Sequence, residues 1–192
     1  MAQPPIAITC GDPSGIGLEI FLAAHEQIGG DIPMVLFADK KHLPNNVKVT
    51  TWCPGETKYS NTSVALCQIN FTSAAVPGRT DPQNAAGVIQ AIKCAVDYAK
   101  SGKVAGLCTA PINKANLKIG ANFNFPGHTE YLAHLCGVET VVMMLTCQSL
   151  SVVPLTIHIP ISDVSQAITR QLFNKTVHII DNGLKKDFGI AY

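Results

Sequence analysis

Apolar residues along this 192-residue chain come in two rhythms: short unbroken runs, and longer stretches that repeat every three to four positions. Residues 6–9 form a short apolar run that ends in Gly11-Asp12-Pro13-Ser14-Gly15-Ile16-Gly17. Leu18, Ile20, Phe21 and Leu22 then set up an amphipathic helix, so the segment reads as strand, glycine turn, helix. Residues 34–38 read as a buried strand and 47–49 alternate as an edge strand does. Between 52 and 81 the Pro, Gly, Asn, Ser and Thr spacing predicts irregular connections with one strand around 64–69. The clearest helix spans 84–101: Ala85, Val88, Ile89, Ile92, Val96 and Ala99 share one face, and Gly102 follows as a stop. Residues 104–109 predict a buried strand whose end, Thr109-Ala110-Pro111-Ile112-Asn113-Lys114, turns into a short helix beginning near Asn113. A helix over 129–135 and strands over 141–146 and 152–158 follow. Ser162-Asp163 offers a cap for helical sequence reaching towards Asn182-Gly183, and 185–192 leaves that helix for a terminal strand.

This alternation of strands and helices predicts an α/β fold with a mostly parallel sheet covered by helices. Polar residues follow the strand at 104–109, at the carboxyl end where open α/β sheets place their ligands.

Hydrophobic residues make up 47% of the chain and charged residues 14%, which leaves apolar surface for a partner to cover. A net charge of +1 with no block of like charges argues against binding a nucleic-acid backbone. Seven cysteines, with no Cys-x-x-Cys pair among them, lie mostly in apolar runs, as reduced core residues of a cytosolic protein do. The first residues lack the basic segment and long apolar stretch of a secretory signal. The longest apolar region, 140–161, is broken by Thr146, Gln148, Ser149, Pro154 and His158, which fits two strands and not a membrane span. The expectation is a soluble cytoplasmic protein.

Three segments carry candidate chemistry. The glycine turn at 11–17 opens a helix, where backbone N–H groups and the helix dipole favour an anion. Its spacing matches neither the dinucleotide nor the nucleoside-triphosphate loop, and a structural turn accounts for it equally well. Gly127-His128-Thr129-Glu130 sets an imidazole, a hydroxyl and a carboxylate side by side ahead of a helix. That suits a polar ligand, and equally suits Thr129 as an N-cap with an acid in the first turn. Thr156-Ile157-His158 ends the strand at 152–158 and aims His158 off the sheet, as a ligand or as a hydrogen-bonded core histidine. One histidine alone does not make a metal site.

Taken in order, Gly11-Asp12-Pro13-Ser14-Gly15-Ile16-Gly17-x-Glu19, Thr109-Ala110-Pro111-Ile112-Asn113-Lys114, Phe125-Pro126-Gly127-His128-Thr129-Glu130 and Thr156-Ile157-His158-Ile159-Pro160 resemble the 4-hydroxythreonine-4-phosphate dehydrogenase family over essentially the whole chain. The resemblance implies an isocitrate/isopropylmalate dehydrogenase-like architecture of two α/β domains around a cleft, in a homodimer. Residues 1–125 would form the first domain, lacking its closing strands, and 126–192 the beginning of the second. It also implies NAD(P)-dependent oxidation of 4-phosphooxy-L-threonine and decarboxylation to 3-amino-2-oxopropyl phosphate, in pyridoxal phosphate biosynthesis. A divalent metal assists the family, zinc first, with magnesium or cobalt as alternatives. By motif, His128 and Thr129 resemble substrate contacts and His158 one metal ligand, with Asp12, Asn113 and Lys114 lining the cleft.

The family's Asn-Pro-His-Ala-Gly-Glu and Tyr-His-Asp-Gln-Gly segments, which supply further metal histidines, are not in this sequence. The expectation is therefore a chain matching the N-terminal part of the family and inactive in isolation. A dehydrogenase of a related four-carbon phosphorylated hydroxy acid, threonate or erythronate phosphate, is the rival enzyme reading. A short binding or dimerising module is the rival without catalysis.

Overall fold

The apolar runs at 6–9, 34–38, 64–69 and 104–109 line up side by side in the computed structural model, which describes residues 3–190. β1 (Ile6–Thr9), β2 (Met34–Ala38), β3 (Val49–Thr51), β4 (Val64–Gln68) and β5 (Gly106–Thr109) form one sheet in the order β3-β4-β2-β1-β5. Every pairing in it is parallel. β2 is buried at all five positions, as a parallel strand covered on both faces must be. The edge strand expected at 47–49 falls instead at Val49–Thr51, where it pairs with β4.

α1 (Gly17–Ile28) follows β1, and α2 (Ala85–Lys100) links β4 to β5. α2 buries Ala85, Val88, Ala91, Ile92, Ala95 and Val96, close to the face read from the sequence. A 3-10 turn, Pro82–Asn84, precedes it, and the Asp81 carboxylate caps that turn by accepting from the Gln83 amide at 2.9 Å. Phe37, fully buried on β2, packs its ring 5.9 Å from Trp52 and 5.8 Å from Tyr98. Side chains buried this completely contribute about 1.5–3 kcal/mol each. α3 (Lys114–Ala121) and α4 (His128–Cys136) complete this unit, which runs from Met1 to Cys136.

The order of strands creates a switch point. β1 pairs with β2 on one side and β5 on the other, so the connections after β1 and β5 leave the sheet side by side at its carboxyl edge. A crevice opens there in sheets of this kind.

The second unit, Gly137–Tyr192, departs from the sequence expectations. The strands expected at 141–146 and 152–158 shrink to β6 (Leu145–Thr146) and β7 (Ser151–Val152), an antiparallel pair. A strand extends only as far as its ladder, and Pro154 removes a donor just beyond β7. His158 therefore does not sit at a strand end. α5 (Val164–Ala167) starts at the expected cap region, but Asp163 and Ser162 make no capping bond to it. The long helix is α6 (Arg170–Asp187), capped by Thr169, whose hydroxyl accepts from the Leu172 amide at 3.1 Å. It carries Gly183 inside it and takes in Lys185–Asp187, where a terminal strand had been expected; residues 191–192 of that expected strand lie outside the described residues. Among the described residues, no buried apolar side chain lies beyond Tyr131.

The cysteines are also less central than their apolar surroundings suggest. All seven are free thiols, but only Cys10 is buried, and burial pushes its thiol up to about 12. No helix among the described residues is long and apolar enough to cross a membrane.

Candidate functional site

At the switch point the two turns touch through glycines. Gly11 has φ +66°, and a β-carbon there would lie 2.2 Å from the Pro111 carbonyl oxygen. A β-carbon on Gly17 would lie 2.4 Å from the Cys10 carbonyl oxygen and 2.6 Å from Ala110 Cβ. Only glycine lets the backbone approach so closely. The turns are joined by the Ala110 amide donating to Thr9 at 3.1 Å and the Asp12 amide donating to Pro111 at 2.9 Å. Asp12 folds its own carboxylate back to accept from the Ser14 amide at 2.9 Å. One N–H that could have met an anion is thus already engaged, which favours the structural reading of the turn.

Asn113 is the N-cap of α3, its side chain accepting from the Asn116 amide at 3.1 Å. Asp12 and Asn113 line the same small cavity, while Lys114 is exposed beside it. Two of the three residues tied to the cleft by resemblance are thus brought together, both already serving the backbone.

α4 is set in place by an aromatic cluster that sequence reading passed over. Phe123, Phe125 and Tyr131 hold their rings 5.1–5.3 Å apart, and His134 packs 5.1 Å from Phe125. The crowding of aromatics on both sides of Gly127-His128-Thr129-Glu130 was the available signal. Lys100 closes the far end of the helix by donating to the Leu135 carbonyl at 3.3 Å. α4 begins at His128, so Thr129 is its second residue and exposed, not its N-cap. The first N–H groups of a helix have no intrahelical acceptors, and the dipole makes that end attractive to an anion.

His128 is half-buried, and its Nε2 is buried with no hydrogen-bond partner among the described residues. Burial pushes its pKa below the ordinary value, so the ring is neutral at pH 7. A neutral imidazole offers one N–H and one lone pair. His128 thus keeps a buried hydrogen-bonding nitrogen, unpartnered among the described residues, at the start of α4.

His158 lies in the second unit, exposed, in a left-handed conformation at φ +56°. It presents one imidazole. Among the described residues no three His, Cys, Asp or Glu side chains are grouped to hold a metal ion. The residues present therefore do not by themselves fit a divalent metal, and nothing in the turn at 11–17 singles out a nicotinamide cofactor.

Residues 30–192 match the family described as pyridoxal phosphate biosynthetic protein PdxA. A 4-hydroxythreonine-4-phosphate dehydrogenase from Ruegeria sp. (strain TM1040) is 45% identical over 195 residues, covering 99% of this chain and 59% of the relative. One from Paracoccus denitrificans (strain Pd 1222) is 44% identical, covering 97% and 58%. A crystal structure of a 4-hydroxythreonine-4-phosphate dehydrogenase from Burkholderia phymatum matches with a TM-score of 0.87 at 31% identity, covering 97% of this chain and 59% of that one. The chain thus spans about three fifths of the length of these relatives. With an α/β unit of parallel strands in the same fold and a family match over most of its length, the chain belongs to the pyridoxal phosphate biosynthetic protein PdxA family.

Proposed function

We propose that this chain supplies the substrate-recognition half of a 4-hydroxythreonine-4-phosphate dehydrogenase acting in pyridoxal phosphate biosynthesis. The observation that carries the reading is His128, whose buried Nε2, unpartnered among the described residues, opens α4 within the motif that resembles that family's. The substrate is 4-phosphooxy-L-threonine. C3 of the substrate would give up a hydride to NAD⁺ or NADP⁺ as the 3-hydroxyl loses its proton to solvent or a base. The resulting β-keto acid would then break the bond to its carboxylate carbon, releasing CO₂ and taking up a proton at C2 to leave 3-amino-2-oxopropyl phosphate. In this scheme His128 and the Thr129 hydroxyl hydrogen-bond the substrate, and the positive end of α4 favours its anionic groups. His128 does so as a neutral ring, able to accept from a hydroxyl or donate to an oxygen.

His158 would be one ligand of a divalent metal, and such a metal would supply Lewis acidity toward the substrate hydroxyl. The other ligands lie outside this chain in the proposal, so the chain alone does not turn over. The same reading assigns 1–125 to the first α/β domain and 126–192 to the beginning of the second, and makes the working enzyme a cytoplasmic homodimer. Joining the chain to the part of the Ruegeria relative that it does not cover tests the proposal. The joined protein is expected to reduce NAD(P)⁺ with 4-phosphooxy-L-threonine, while the chain alone shows no turnover above a His158→Ala control. Activity confined to threonate or erythronate phosphate would transfer the assignment to the rival substrate.

A further inference from the structure

A cavity of about 10 Å³ lies where the turn after β1, the turn before α2 and the start of α3 meet. Asp12, Asp81, Asn84, Asn113 and Asn116 line it. Two amide groups on this wall are unsatisfied. Asn84 is 2% exposed and its Oδ1 accepts from the Ser73 amide at 3.0 Å, which fixes the orientation of the side chain. Its Nδ2 is then buried with no hydrogen-bond partner among the described residues, and Asn116 Nδ2 is in the same position. Buried donors of this kind are costly unless an acceptor meets them.

The chemistry of the wall selects the acceptor. Asp12 and Asp81 each commit Oδ1 to a backbone amide, Ser14 and Gln83 respectively, which leaves each carboxylate a second oxygen. An anion facing two carboxylates is repelled. A cation facing two amide N–H groups is badly ligated. A species that accepts twice and donates twice satisfies both pairs, and a volume of about 10 Å³ holds about one water-sized molecule. We propose that this cavity is a binding site for one ordered water, which accepts from Asn84 and Asn116 and donates to Asp12 and Asp81. The water bridges the glycine turn at the switch point to the residues that open α2 and α3. The inference does not depend on the function proposed above.

A crystal structure of the chain at a resolution that shows ordered solvent tests it. The expected result is a single peak about 2.7–3.2 Å from both amide nitrogens and within the same range of an Asp12 or Asp81 oxygen. A cation bound through turned asparagine oxygens, an empty cavity, or side chains bonding directly to one another across it would overturn the proposal. In solution, Asn116→Leu is expected to lower the urea midpoint, and to lower it less in an Asn84→Leu background, where the water has already lost a donor. Additive losses contradict a shared water.

Discussion

Replacing Gly11 by alanine tests whether the two turns at the switch point rest on each other. Gly11 has φ +66°, which costs alanine about 1–2 kcal/mol by itself. The added β-carbon would also lie 2.2 Å from the Pro111 carbonyl oxygen and 2.9 Å from the Ala110 carbonyl carbon. Both are backbone atoms, so no flexible side chain can give way. Relief requires the ends of β1 and β5 to part, at about 1–3 kcal/mol for overpacking. The bond from the Asp12 amide to Pro111 would go as well, worth about 1 kcal/mol. Gly78→Ala is the control, because φ there is +74° but nothing lies within 4 Å of its β-carbon. Gly11→Ala should therefore cost about 2–4 kcal/mol more than Gly78→Ala. Trp52, the sole tryptophan, is buried in the first unit, so its fluorescence during urea unfolding reports on that unit. At a slope of about 1–3 kcal/mol per molar urea, the two midpoints should differ by about 0.7–4 M. Equal midpoints would mean that the turns are not in contact, and the account of the switch point would fail.

Two further predictions follow from titrating groups. Burial raises the Asp39 carboxyl, but donation from the Phe71 and Lys41 amides, joined by Gln68 and the Lys41 side chain, reverses this and lowers it to about 2. Since the folded value is depressed, its stabilisation is present above pH 3.8 and is lost as pH falls from there through about 2. Asp39→Asn should remove about 1–2 kcal/mol at pH 7, after allowance for solvent screening, and flatten the acid limb of a urea-midpoint profile. An unchanged acid limb would refute the assignment. For His128 the sign is opposite: burial lowers the folded value below 6.5, so the unfolded chain takes up its proton first as pH falls. Stability should decline as pH drops below 6.5, and NMR titration of the His128 ring should place its midpoint below that of a free histidine; a midpoint at or above 6.5 contradicts a buried neutral ring.

Much of the first unit was legible because its elements are specified by local pattern. The 3.6-residue rhythm from Ala85 to Ala99 and the apolar run at 34–38 needed no distant information. The second unit was read less well. The apolar stretch at 141–146 has strand composition, but pairing is decided by a neighbour, and the ladder there closes on two residues only. Thr169 displaced Ser162-Asp163 as the cap of the long helix because the preceding turn ends short, at Ala167.

The site shows the same divide. The motif around His128 was visible as adjacent polar residue types, and resemblance gave it meaning. Its burial and lack of a partner arise only in the fold, where an aromatic cluster of Phe123, Phe125 and Tyr131 gathers residues from both sides of the motif. Asn84 and Asn116 carried no signal at all, since each looks like an ordinary helix-start residue until the fold brings them to one wall.

The proposed role of His128 is to read the substrate of a 4-hydroxythreonine-4-phosphate dehydrogenase. Its most direct test is kcat/KM for 4-phosphooxy-L-threonine in the chain joined to the remainder of the Ruegeria relative, with His128 and with His128→Ala. Loss of one good hydrogen bond to a charged substrate, about 1.5–3 kcal/mol, predicts a fall of roughly ten- to a hundredfold, with urea stability retained. An unchanged kcat/KM for a folded His128→Ala protein would contradict it.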